Sequence, residues 1–267
     1  MPQPSIPRGQ LELLFLGTGT SAGVPMIGCD CAVCTSDDQR DKRTRPSVVI
    51  SYGETRVLVD TTPELRLQAI ANDVKKIDAI VFTHAHADHI MGLDDVRRFN
   101  MTKKGPIDVW ADDKSFQAIS RCFGYAFEQV NDGLFRPQLV RKPIEGPFQI
   151  AGVTWTPILL IHGDEPVLGF RIGHLAYCTD VSEIPESSFA LLRDLDVLVL
   201  DALHHKRHAK HLSLEQAVEA AKRIGAKQTL FTHISHGMGH VETNRLLPPH
   251  QQLAFDGQRV NARYAAA

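Results

Sequence analysis

Four potential metal ligands, His84, His86, Asp88 and His89, are packed into THAHADH (83–89), straight after the apolar run DAIVF (78–82). No other feature restricts the fold of this chain as much. A short apolar run reads as a buried strand. A turn at its end can aim His84 and His86 at one ion while Asp88 and His89 reach a second. Two ions with partly shared ligands need about seven or eight donor side chains. Three more donors stand at the ends of apolar runs: His162 after VTWTPILLI, Asp180 after LAYCT and His233 after TLFT. Strand ends hold side chains rigidly while facing a loop-lined cleft. A lone histidine at such a place is usually a satisfied polar residue at a sheet edge. An H-x-H-x-D-H run with three matching strand ends is a metal centre.

The rest of the chain supplies the scaffold. LELLFLG (11–17) reads as a strand, and SVVISYG (47–53) with TRVLVD (55–60) as a hairpin turning at Gly53-Glu54. GVTWTPILLIHG (152–163) is a long strand, GFRIGHLAYCTD (169–180) a hairpin around Gly173, and DVLVLDA (196–202) and KQTLFTH (227–233) are buried strands. Helical spacing covers 63–73, with Pro63 at its start, as well as 92–101 and 115–123. SLEQAVEAAKRIG (213–225) has Ser213 as cap, Gln216 three residues on and Gly225 at its end. Hairpins come early, and strands alternate with helices later. That mixture predicts an α/β chain with two sheets packed together and helices outside. No repeat or Gly/Ser linker divides it, so 1–267 is read as one domain. Periodicity alone does not give the topology.

Five cysteines are an odd number, and Cys29, Cys31 and Cys34 crowd into six residues. That is a ligand spacing rather than disulfide geometry, and clustered thiolates select a soft metal such as zinc. Cys122 and Cys178 stand alone and read as small buried hydrophobes. Net charge is −2, which argues against a nucleic-acid partner as the default. No apolar run reaches the roughly 18 residues of a membrane span, and MPQPSIPRG lacks a signal-peptide core. The expected setting is therefore cytoplasmic, without a membrane partner.

H-x-H-x-D-H after a strand, followed by spaced His, Asp and His, resembles the metallo-β-lactamase superfamily of metal-dependent hydrolases, from Leu13 to about Gly257. The resemblance implies an αββα sandwich of two mixed β-sheets flanked by helices. It implies one metal on His84, His86 and His162, another on Asp88, His89 and His233, and Asp180 bridging them. Asp60, ending TRVLVD, matches an aspartate lying behind the ligands. LGTGTSAGVPMIGCDCAVC (16–34) resembles the branch holding the phosphoribosyl cyclic phosphate phosphodiesterase of phosphonate breakdown. In that branch a C-x-C-x-x-C run and a distant histidine hold a structural zinc. Here those residues are Cys29, Cys31, Cys34 and His236.

A second histidine cluster, LHHKRHAKHLSL (203–214), precedes the capped helix. By the same resemblance, His211 stands beside the metals to protonate a leaving alkoxide or steady the transition state. His208 is expected to touch substrate or to orient His211, and Asp201 is another residue able to orient a histidine of this loop. The catalytic set is thus Asp88, His211 and His208. LGTGTSAGVP is read as backbone packing near the site, with phosphate contact by Thr18, Thr20 or Ser21 the alternative. Arg43 and Arg45 are read as a solvated basic loop, with substrate contact the alternative. Two divalent ions, two carboxylates and one hydroxide leave the site at about +1, which suits a phosphodiester. The expectation is a binuclear hydrolase (Zn or Mn) cleaving a small, even cyclic, phosphodiester with a metal-bridging hydroxide. The alternatives are a tRNA 3′-processing ribonuclease, a thioester hydrolase and a non-catalytic carrier in cofactor biosynthesis. The resemblance also allows a homodimer.

Overall fold

A computed structural model describes residues 5–128 and 135–264. The Ala-rich tail and the outer ends of the 1–267 unit lie outside the described residues. Two seven-stranded sheets stack face to face. In the first, β1 (Gln10–Gly17), β2 (Ser47–Tyr52) and β3 (Thr55–Val59) run antiparallel. β4 (Ala79–Val81), β5 (Ile107–Ala111) and β6 (Leu139–Pro143) follow in parallel. The second begins with β7 (Phe148–Ile150), β8 (Val153–His162), β9 (Glu165–Ile172) and β10 (Leu175–Cys178). It continues with β11 (Val197–Asp201), β12 (Gln228–Thr232) and β13 (Gln251–Leu253), parallel to β10. The chain then returns to the first sheet, where β14 (Arg259–Arg263) pairs with β1.

Helices cover both outer faces. On the first sheet lie α1 (Leu65–Ala71), α2 (Ala87–Ile90), α3 (Arg97–Lys103) and α4 (Asp113–Phe123). α5 (Glu186–Phe189), α6 (Leu214–Ile224) and α7 (His240–Leu246) follow along the second half of the chain. Phe15, Ile50, Trp155, Phe170 and Tyr177 fill the space between the sheets. Leu58, Ile80 and Phe82 pack outward under one helical layer, and Leu198, Leu200 and Phe231 under the other. Strands covered on both faces carry unbroken apolar runs, which is why these runs showed no alternation. The layers are those the resemblance implied.

Several local expectations hold. β2 and β3 join at Gly53-Glu54 and pair Tyr52 with Thr55. Ser213 and Gln216 form a reciprocal capping box, and Gly225 ends α6 with φ 71°. The helix expected at 92–101 is a 3-10 turn, Leu93–Val96, running into α3. Cys178 is buried as expected, but Cys122 is exposed. α4 turns Phe116, Ile119 and Phe123 inward, and Cys122 sits at the flank of that face in the last turn, open to solvent. The glycine loop after β1 is indeed packed backbone: a Cβ at Gly17 would collide with the Arg45 carbonyl oxygen.

The two sheets present the same edge. β1 and β3 run in one direction with β4, and β8 runs with β10, β11 and β12. Their C-terminal ends deliver Asp60, His84, His162, Asp180, Asp201 and His233 to one rim. A backbone clasp joins the sheets there: Ile234 N–H donates to Thr18 O (2.9 Å) and Thr20 N–H to Ile234 O (3.1 Å).

Beside the clasp is a buried polar knot. Arg43, 2% exposed, donates to Thr18 Oγ1 (2.8 Å) and lies 3.3 Å from His240 Nδ1. Asp41 accepts from His240 N–H at 2.7 Å. Arg43 is therefore a buried structural residue rather than part of a solvated loop, and Arg45 pairs with Glu64. Burial first, then the Arg43 charge, push the His240 ring down to about 4. The unfolded chain protonates this ring below about 6.5, so stability is lost as pH falls from there toward 4. After discounting for solvent screening, the loss is about 1–2 kcal/mol. A melting series from pH 7 to pH 4 is expected to fall less steeply in His240→Asn, which keeps an acceptor for Arg43. Parallel slopes would show that the folded ring protonates freely.

Candidate metal centre and active site

Asp180 Oδ2 is the common point of the rim. It lies 3.9 Å from His84 Nε2, 3.4 Å from His89 Nε2 and 3.2 Å from His233 Nε2. Ligand atoms of His84, His86, His162 and Asp180 lie within 4.8 Å of one another, as do those of Asp88, His89, Asp180 and His233. The seven residues expected to meet do meet, in two groups that share Asp180.

Three of the imidazoles, those of His84, His89 and His162, are held by the far nitrogen. Asp60 accepts from Thr83 N–H (2.9 Å) and Thr83 Oγ1 (2.8 Å) and holds His89 Nδ1 at 2.7 Å. His162 Nδ1 donates to the Lys210 carbonyl at 2.7 Å, and His84 Nδ1 faces Thr83 Oγ1 at 3.0 Å. Such partners fix the tautomer and turn Nε2 toward the centre. The Nε2 atoms of His89 and His233 are buried without a hydrogen-bond partner. Buried orphan nitrogens are costly, and a bound cation satisfies them. Backbone strain marks the same place: Asp60 and His233 take φ of 63° and 58°, a region bulky residues avoid.

The electrostatics divide the two groups. Burial drives the rings of His84, His86 and His162 below their ordinary value, so they stay neutral, the ligand form. Burial opposes charge on His89 and His233 too, but the carboxylates outweigh it. Asp180 and Asp60 raise His89 well above its usual range, and Asp180 with Asp88 raises His233 to about 9. Against its own burial, Asp180 is held well below the carboxylate range by His233 and His89. These rings stand in for positive charge that a divalent ion would supply.

His211 faces the same space. Its ring stacks on His233 at 4.5 Å and meets His162 edge-on at 4.6 Å. Asp201 Oδ2 holds its Nδ1 at 2.8 Å. Leu212 N–H donates to Val181 O at 2.8 Å, which plants His211 next to Asp180. The orienting partner is thus Asp201. His208 is exposed, with its ring 5.3 Å from that of His211 and its Nδ1 accepting from Lys210 N–H.

The thiolate run forms a separate pocket of donors. His236 Nδ1 lies 3.2 Å from Cys29 Sγ and 3.3 Å from Cys31 Sγ, and all four ligand atoms lie within 4.8 Å. The Cys34 N–H and then His236 bring Cys31 down to about 6, while burial raises Cys34 to about 11. Three sulfurs and one imidazole fit a closed tetrahedral zinc site. Thr83 and the Lys210 carbonyl were not foreseen as supports. Thr83 stands inside the motif and bonds to Asp60, which only the fold brings near.

Residues 55–234 match the beta-lactamase superfamily domain. The chain is 35% identical over 251 residues to a protein named octanoyltransferase from Porphyromonas gingivalis, covering 92% of this chain and 51% of that one. Over 70 residues it is 40% identical to ribonuclease Z of Clostridium acetobutylicum, covering 26% of this chain and 21% of that one. It thus spans about half, or less, of the curated relatives it matches. Among solved structures, a diphosphatase from the PhnP family is 44% identical with a TM-score of 0.90, covering 96% of this chain and 99% of that one. Zinc-bound PqqB from Methylobacterium extorquens shares the fold at 18% identity, with a TM-score of 0.78 and coverage of 93% and 99%. Among the described residues, no helix is long and apolar enough to cross a membrane. Two mixed sheets between helices, a His/Asp centre that fits divalent ions and these likenesses converge: the chain belongs to the metallo-β-lactamase superfamily, in its PhnP branch.

Proposed function

We propose that the chain is a binuclear phosphodiesterase acting on a small phosphodiester. The single observation that carries this reading is Asp180 Oδ2, shared between two histidine groups at 3.2–3.9 Å. His84, His86 and His162 would hold one ion, Asp88, His89 and His233 the other, and Asp180 both. Divalent ions there, Zn or Mn, would supply an activated water near neutral pH and would polarise the phosphoryl oxygen. The side chains do the rest. Asp60 and the Lys210 carbonyl keep the His89 and His162 rings from turning. Asp201 accepts from His211 Nδ1–H, so Nε2 is the nitrogen offered to substrate. The proton on that Nε2 passes to the departing alkoxide, and Asp201 steadies the charge on the ring. His208 meets substrate from the rim. The diphosphatase name of the solved relative supports phosphoryl chemistry.

Cys29, Cys31, Cys34 and His236 would hold a structural zinc. Cys31→Ser is then expected to lower Tm by about 5–10 °C and to remove one zinc equivalent, with a smaller effect on kcat. Normal melting and full zinc content would contradict the assignment. A cytoplasmic setting, which keeps such thiols reduced, belongs to the same reading.

The test is hydrolysis of bis(4-nitrophenyl) phosphate by the metal-loaded chain, beside an octanoyl thioester and a precursor tRNA with a 3′ trailer. Turnover of the diester alone is expected. Cleavage of the thioester or the tRNA instead would replace this reading with one of those two. Tight binding of a cofactor precursor without turnover would favour a carrier.

A further inference from the structure

A cavity of about 520 Å³ lies between α1 and α3, on the outer side of the first sheet. None of its lining residues belongs to the metal centre. Its size falls within the range of small-molecule sites, about 300–1,000 Å³. Leu65, Ala69, Val74 and Phe99 form a buried floor. Ile70 and Phe135 stand at its edges, 65% and 57% exposed. Large apolar side chains left open beside an apolar floor mark a binding surface.

The charges on the lining give the sign of the ligand. Lys75 Nζ is paired with Asp73 at 2.8 Å, and Arg97 with Asp94. Three lining charges are left, in no ion pair among the described residues: Arg66 on α1, Arg98 on α3 and Asp95 in the turn before α3. Two positive charges against one negative suit a single anionic group. The two guanidiniums come from different walls, and arginine binds a carboxylate by paired hydrogen bonds. Beyond its charged groups, the lining has no hydroxyl, amide or imidazole side chain. It therefore offers little to a peptide main chain, a sugar or a nucleobase. A hydrocarbon chain needs no such partners and gains by leaving water. From this floor and this charge, we infer that the cavity binds a medium-chain fatty-acid carboxylate. Its chain lies along Leu65, Ala69, Val74 and Phe99, and its head meets Arg66 and Arg98.

Titration calorimetry of the metal-loaded chain tests this with decanoate, hexanoate and decyltrimethylammonium. Decanoate is expected to bind one to one and about tenfold more tightly than hexanoate, because each buried methylene adds affinity. The cationic amphiphile is expected to bind about tenfold more weakly than decanoate, or not at all. Arg66→Gln combined with Arg98→Gln is expected to weaken decanoate about fivefold, and Ile70→Glu to abolish its binding. Melting curves verify that these exposed substitutions leave the fold intact. Equal affinity for hexanoate and decanoate, unchanged in Ile70→Glu, would place the carboxylate on the catalytic ions and overturn the inference. Equal affinity for the cationic amphiphile overturns it as well, since the arginines then read no charge. So does a chain that binds no decanoate; a dimer in sedimentation that Ile70→Glu abolishes would then give the cavity to a second copy.

Discussion

Asp180→Ala is expected to abolish phosphodiester hydrolysis, by roughly 10³-fold or more, and to lower the content of both catalytic metals. The carboxylate is 2% exposed, enclosed by the histidine groups it joins. Among the carboxylates around them, it is the first to oppose burial at His89 and His233. Each metal would lose a ligand, and the link between the two groups disappears. Metal content by elemental analysis and turnover of bis(4-nitrophenyl) phosphate are measured together. Asp180→Asn, with the same shape and no charge, separates lost electrostatics from a lost atom. Full activity with both metals retained would sink the shared role.

His211→Ala is expected to lower kcat by about 10²–10⁴-fold with metals intact and KM little changed. Asp201→Asn should give a smaller loss in the same direction, because it spoils the tautomer while leaving the ring. The pattern across leaving groups is more telling than the size. 4-Nitrophenolate departs with little help from a proton, so its diester should suffer least; an alkyl alkoxide needs the proton and should suffer most. A loss that ignores the leaving group would make His211 a stabiliser of the transition-state oxyanion. No loss at all would return it to an ordinary loop residue.

The sequence was most readable where one strand carries its own chemistry. DAIVFTH, LAYCTD and TLFTH each combine an apolar run with its terminal donor, and β4, β10 and β12 stand where those runs lie. It was least readable at the margins. β13 is three residues, QQL, and β14 is RVNAR, whose inner face is only Val260 and Ala262, too short an alternation to read as a strand. They are strands because β12 and β1 offer open edges. α7 lay in a stretch that reads as merely polar. Its first residue is fixed by Asp41, some 200 positions away in the chain. β5 and β6 were passed over for the same reason: short strands at a sheet's far side take their pairing from neighbours. Asp60 was reached only through resemblance, since its bond to His89 needs β3 and β4 side by side.

The shared rim has one more consequence. Asp60, His84, His86, Asp88 and His89 hang from the first sheet, while His162, Asp180, Asp201, His211 and His233 hang from the second. The reactive constellation is therefore a seam between two half-sites, and neither half holds a complete ligand set. β14, contributed by the last part of the chain, crosses back to the first sheet and laces the halves together. Chemistry of this kind cannot be inherited, transplanted or lost one sheet at a time.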